Sequence, residues 1–336
     1  MRIARVGFIG LGNMGGPMCA HLVRAGFAVR AFDIDERALG RATAAGAARA
    51  SSVTDAAAGA DALVTMLPGP PQVEEVLLGG GRAAPGGATA DGALAALPAG
   101  AALIEMSTSS AALGERLRAA AAQRGVEMLD APVAGQAAGA QAGTLSIYVG
   151  GERALLERCR PLLEAMGERE RIFHVGGPGC GYVVKLLLNL LWFVHAVAAG
   201  EALVVGVRAG VSLEALHAAL TGSPANSHLL ERDLLPLLRA GDYDEAFPMR
   251  LVTKDLALAI ELAREAGVPV ELSALVEQIH RRARARFGDA AGELSAVALY
   301  EELAGMRLRF GEQPGRGEEQ PQGPKEGALG PEARSG

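Results

Sequence analysis

The sequence predicts an α/β protein: a doubly wound parallel sheet in the N-terminal half, an all-α C-terminal domain, and a long helix joining the two. Three observations carry this reading. Short apolar runs alternate with helical patterns over residues 3–129, and strands separated by helices at that spacing form a parallel sheet covered on both faces. Gly10, Gly12 and Gly15 stand where the first run gives way to the first helix. From about residue 178 strand-like runs cease and long helical patterns take over.

In chain order, residues 3–10 (IARVGFIG) read as the first strand, 16–26 as a helix stopped by Gly26, and 27–32 as the second strand. A small-residue helix follows from about Asp35, then a strand at 61–67, a helix from Gln72, a strand at 102–106, a helix at 110–124 and a run at 126–129. Residues 182–208 form one long helix linking the halves, with further helices near 212–221, 226–240, 250–266, 270–287 and 292–306. The domains are therefore 1–177 and 178–310. Beyond them, 311–336 holds almost nothing apolar and is expected to be disordered. The glycine-rich stretch 79–92 reads as a surface loop.

Composition narrows the function. The chain has 336 residues, 21% of them charged, and a formal net charge of −6, which argues against nucleic acid or an anionic membrane as partner. Its three cysteines, Cys19, Cys159 and Cys180, have neither metal-ligand spacing nor a disulfide framework, so no metal is expected and a cytoplasmic location is. Glycines break the apolar N-terminal run, against a signal peptide. The apolar stretch 186–200 contains Asn189 and His195 and is short for a membrane span, so it reads as a buried helix.

The three glycines form G-x-G-x-x-G, the fingerprint of a Rossmann dinucleotide site: a tight turn, a close approach of pyrophosphate to backbone, and tight helix packing. The intervening Leu11, Asn13 and Met14 belong to the same cofactor loop. Asp33, 18 residues past Gly15, stands where an acid would bind the adenosine ribose, although it or Asp35 would also serve as a helix N-cap. A carboxylate there repels a 2′-phosphate and no arginine directly follows, so NAD is expected over NADP. Lys185, early in an apolar helix, reads either as a partly desolvated acid/base or as a lysine whose stem is buried and whose amine reaches water. Asn189 shares its face one turn on.

Four blocks, FIGLGNMGGPM (8–18), DAPVAGQAAGAQAGTLSIYVGG (130–151), GGPGCGYVVKLLLN (176–189) and KDLALA (254–259), resemble the signatures of the β-hydroxyacid dehydrogenases. That family includes 3-hydroxyisobutyrate dehydrogenase and tartronate semialdehyde reductase. The resemblance spans roughly residues 1–305. It implies hydride transfer between NAD and a small 3-hydroxy acid or semialdehyde, with Lys185 as general acid/base and Asn189 as its partner in catalysis and substrate binding. It further implies cofactor contacts from Leu67, Pro68, Gln72, Thr108 and Lys254. The glycines at 135, 139 and 143 read as a loop for a substrate carboxylate, where the family's Ser-Gly-Gly is replaced by Ala134-Gly135-Gln136. The serine hydroxyl is missing, and backbone donors with the Gln136 amide are expected to stand in. Trp192 and Phe193 read as packing, His174 and His195 as structural. The helical domain is expected to build a homo-dimer or homo-tetramer. The rival readings are a non-catalytic dinucleotide sensor or scaffold, and a reductase of another small carbonyl or imine; loss of the lysine would mark either departure.

Overall fold

The computed structural model describes residues 2–80 and 91–311. Residues 81–90 of the expected surface loop, and the expected tail from 312 on, lie outside the described residues. The flanks of that loop meet in an antiparallel bridge between Gly79 and Asp91.

The chain opens with β1 (Arg5–Ile9), α1 (Gly15–Arg24) and β2 (Ala28–Phe32), followed by α2 (Glu36–Ala44) and β3 (Ala48–Arg49). Next come α3 (Val53–Ala57), β4 (Ala62–Thr65), α4 (Pro70–Leu78), β5 (Ala102–Glu105), α5 (Ala111–Ala122) and β6 (Glu127–Asp130). These strands are all parallel, in the spatial order β3-β2-β1-β4-β5-β6. Period-two alternation sorts their side chains between two cores. Phe8, Val64 and Ile104 join α1 residues Met18 and Leu22 on one face. Ile9, Leu63 and Leu103 join Val73 and Leu77 of α4 and Leu113 and Leu117 of α5 on the other. This is a Rossmann domain, doubly wound. Burying each such side chain contributes about 1.5–3 kcal/mol.

The strand pattern does not stop at residue 129. β7 (Val133–Ala134), α6 (Gln136–Ala142), β8 (Leu145–Gly150), α7 (Arg153–Met166) and β9 (Gly167–Gly176) extend the sheet. β8 runs antiparallel to β6 and β7, and β9 pairs parallel with β8. The segment expected as a glycine loop is thus largely the helix α6. Gly135 is its N-cap, Gly143 its left-handed C-cap, and alanines, the best helix formers, fill most of the turn between them.

The second half is helical: α8 (Cys180–Arg208), α9 (Leu213–Thr221), α10 (Leu235–Ala240), α11 (Met249–Glu265), α12 (Glu271–Phe287) and α13 (Ser295–Ala304). The expected single helix over 226–240 is instead a π-helical turn, Leu229–Asp233, followed by α10; Pro236 lacks the amide that an unbroken α-helix would use. α8 is long and apolar enough to cross a membrane by length and composition, yet here α9, α11, α12 and α13 pack around it. Its N-terminus has no side-chain cap of its own. Asp130, at the end of β6, takes that role from outside, its carboxylate accepting from the amides of Gly179 and Gly181, both at 2.8 Å, and of Tyr182 at 3.3 Å. The start of α8 is therefore fixed to the C-terminal edge of the sheet.

Candidate active site

The turn after β1 is built by its glycines in different ways. Gly10 has φ +95°, and a Cβ there would meet the Met66 carbonyl oxygen at 2.2 Å. At Gly15 a Cβ would lie 1.9 Å from the Gly10 carbonyl oxygen, so helix and strand close directly on each other. Gly12 has no protein atom within 4 Å of an added Cβ; the space above it is open to a ligand. No side chain caps the N-terminus of α1, leaving amides and the helix dipole for an anion. Leu11 is buried, Met14 half-buried, and Asn13 exposed beside this opening. The Asp33 carboxylate accepts from the Leu11 amide at 2.6 Å and the Asp35 amide at 2.8 Å. Each oxygen keeps a lone pair for a ribose hydroxyl. The N-cap of α2 is Asp35, not Asp33. These residues fit a dinucleotide.

The helical domain reaches back to the sheet through Lys254 of α11. Its Nζ donates to the carbonyls of Pro68 at 2.7 Å and Thr108 at 3.3 Å, and its stem covers Gly69, where a Cβ would lie 2.7 Å from the lysine Cδ. Leu67, beside Pro68, donates its amide to Ser107 Oγ at 2.8 Å. The β4–α4 and β5–α5 loops are thereby tied to each other and to α11. Ser110, rather than Thr108, caps α5. Gln72 lies exposed on α4.

Lys254 also pairs with its buried neighbour Asp255 at 2.9 Å. The other Asp255 oxygen accepts from the Asn189 amide nitrogen at 2.7 Å, and Asn189 Oδ1 accepts from Lys185 Nζ at 2.9 Å. A chain of four side chains thus runs Lys254, Asp255, Asn189, Lys185. Asp255 takes the donor end of the Asn189 amide and so turns the acceptor end toward the lysine. Burial pushes the Lys185 pKa down from its ordinary 10.5, while Asp255 and Glu293 oppose the shift. A lysine so held is an amine prepared to exchange a proton.

On the substrate side, Gln136 is held by acidic partners. Its amide nitrogen donates to Glu293 at 2.9 Å and to Asp244 at 3.2 Å, both in the helical domain. It is therefore engaged as a bridge between domains. Burial and the facing Asp244 hold the Glu293 carboxyl well above the usual range, which suits it to sharing an amide donor. Ala134 and Gly135, at φ +127°, lead into this bridge. Trp192 donates its indole N–H to Asp233 at 2.9 Å, and Phe193 is buried; His174 bonds the Gly151 carbonyl at 2.8 Å.

Sequence reading missed Asp255, Ser107, Glu293 and the Asp130 cap. One signal was available for the lysines: among 32 basic residues, Lys185, Lys254 and Lys325 are the lysines, and all the rest are arginine. Two of those three, Lys185 and Lys254, stand in the site, and a compact amine there is not interchangeable with arginine.

Residues 5–176 match the family described as the NAD binding domain of 6-phosphogluconate dehydrogenase, and residues 179–300 that described as NAD-binding of NADP-dependent 3-hydroxyisobutyrate dehydrogenase. The chain is 35% identical over 309 residues to 2-(hydroxymethyl)glutarate dehydrogenase of Eubacterium barkeri, covering 92% of this chain and 98% of that one. It is 37% identical over 285 residues to the NAD-dependent L-serine dehydrogenase of Pseudomonas aeruginosa, covering 82% and 91%. Among solved structures, Mycobacterium tuberculosis 3-hydroxyisobutyrate dehydrogenase with L-serine superposes with a TM-score of 0.77 at 31% identity, covering 89% of this chain and 99% of that chain.

Proposed function

Because the chain belongs to the β-hydroxyacid dehydrogenase family, we propose that it oxidises a small 3-hydroxy acid to the semialdehyde, reversibly, with NAD as cofactor and Lys185 as general acid/base. The observation that carries this is the chain from Lys254 through Asp255 and Asn189 to Lys185. When bound, the nicotinamide supplies the hydride acceptor for the alcohol and the hydride donor for the aldehyde. Lys185 takes the hydroxyl proton in oxidation and returns one to the carbonyl oxygen in reduction. Asn189 holds the lysine and the substrate oxygen. Gly10 through Gly15 carry the pyrophosphate, Asp33 the adenosine ribose, and Leu67, Pro68, Thr108 and Lys254 line the cofactor's path. Gln72 has the weakest claim, since it is exposed on α4.

NAD is preferred to NADP because the Asp33 carboxylate would face a 2′-phosphate. Relatives act on different acids by name: a hydroxymethylglutarate, L-serine, 3-hydroxyisobutyrate. The substrate side chain is accordingly the open variable, and residues 134–136 with Glu293 and Asp244 are where it is set. The intact Lys185 argues against a purely sensing role. The test is absorbance of reduced nicotinamide as full-length protein meets 3-hydroxyisobutyrate, L-serine and 2-(hydroxymethyl)glutarate, with NAD and NADP in parallel. Turnover with NAD on one of them, lost in Lys185→Ala, supports the proposal. Nucleotide binding without turnover on any moves the protein toward a substrate beyond these three or a non-catalytic role, and activity unaffected by Lys185→Ala overturns the proposal.

A further inference from the structure

Glu105 ends β5 fully buried, among the tightest positions in the molecule. Three donors from three segments converge on it. The Tyr182 hydroxyl of α8 donates to Oε2 at 2.7 Å. The Ser107 amide donates to Oε1 at 3.0 Å, and the Thr65 hydroxyl of β4 reaches the same oxygen at 3.3 Å. Ser107 in turn accepts from the Leu67 amide, so the network continues into the loop that Lys254 grips. Tyr182 is itself fully buried, within the core beneath α4 and α5. Its ring lies so close to α5 that a Cβ on Gly114 would come within 2.6 Å of it. Lys185 follows three residues later, one turn along the same helix.

We propose that Glu105 is a positioning residue for proton transfer: through Tyr182 it fixes the rotation and depth of the first turns of α8, and through Ser107 it fixes the Leu67–Pro68 loop, holding Lys185 and the cofactor wall in register. The proposal rests on the reading of Lys185 as the acid/base. The groups facing Glu105 are Thr65, Ser107 and Tyr182, with Asp130 the further charged neighbour of Tyr182. Burial outweighs the three donors and holds the Glu105 carboxyl up at about 7. The ionised form accepts all three hydrogen bonds, while protonation at Oε2 reverses the bond to Tyr182 and leaves the tyrosine hydroxyl proton without its acceptor. The network accordingly tightens as pH rises through that range.

The small lysine complement provides a readout that needs no substrate. Full-length protein grown on 13C-lysine shows signals from three residues, assigned with Lys185→Arg and Lys254→Arg. The Lys185 signal is expected to shift with an inflection near pH 7, the range of the Glu105 carboxyl. Both Glu105→Gln and Tyr182→Phe are expected to abolish that inflection while the amine's own titration persists. In the same variants kcat falls about tenfold or more, as for a misplaced acid/base; Tyr182→Phe, which leaves the Ser107 branch intact, holds the Kd for NADH within about twofold, while Glu105→Gln also weakens it. A wild-type Lys185 signal with no inflection, or one that survives Glu105→Gln, overturns the positioning role whether or not a substrate has been found. Unimpaired turnover in Lys185→Ala overturns the underlying reading instead. If Glu105→Gln does not fold, the wild-type and Tyr182→Phe titrations decide alone.

Discussion

At neutral pH an ordinary lysine is almost wholly protonated, so the base role proposed for Lys185 depends on burial lowering its pKa from 10.5. The sign of the pH dependence follows. Oxidation needs the free amine, so kcat for the alcohol rises with pH and levels off at an apparent pKa below 10.5. Reduction needs the ammonium and falls over the same interval. Steady-state rates in both directions check this, and a profile still rising at pH 10.5 would return Lys185 to an exposed, ordinary amine. Replacing it by methionine keeps the stem's packing and removes the proton carrier, which lowers kcat by about 10²–10⁴-fold with NADH binding retained. Lys254 has another task. Its amine is spent on two carbonyls and on Asp255, so it acts as a fastener.

Among the elements, the β1–α1 turn offers an internal control. Gly12→Ala adds a methyl that meets no protein atom, whereas in Gly15→Ala it would collide with the Gly10 carbonyl oxygen. The first variant is expected to melt like the wild type and bind NADH about tenfold or more weakly. The second is expected to lose about 1–3 kcal/mol of stability, as for overpacking. Thermal melts and fluorescence titration of both variants separate a turn kept for a ligand from one kept for packing. Turn glycines, strand runs and the long α8 were legible because each is a local pattern. β9 was not: its GERERIFHVG has no alternation, since most of its first half faces solvent. α6 was hidden because its two capping glycines look like a loop. Asp255, Glu105 and the Gln136 bridge gain their meaning from partners 66, 77 and 157 residues away, which no local pattern reports.

For the whole molecule, the long helix leaves Leu187 and Leu191 about half exposed, and α12 does the same with Leu272 and Leu275. Apolar faces of this kind are commonly covered by a partner. Light scattering is expected to give two or four times the 34.4 kDa chain mass, with Leu191→Glu shifting the protein toward the monomer. A monomeric wild type would leave the helical domain without the subunit-joining role proposed for it.

The two bridges between the domains, Lys254 to the Pro68 and Thr108 carbonyls and Gln136 to Glu293 and Asp244, have a consequence for timing. Both fasten the same two halves, so wherever product release needs the halves to part, at least one must let go first. Where that release is slower than bond-breaking, as in many enzymes whose closure gates turnover, deuterium at the carbon that gives up hydride leaves kcat unchanged. Cutting one fastener with Gln136→Ala should then let the isotope effect emerge, because the waiting step has been shortened and the chemistry has become the clock.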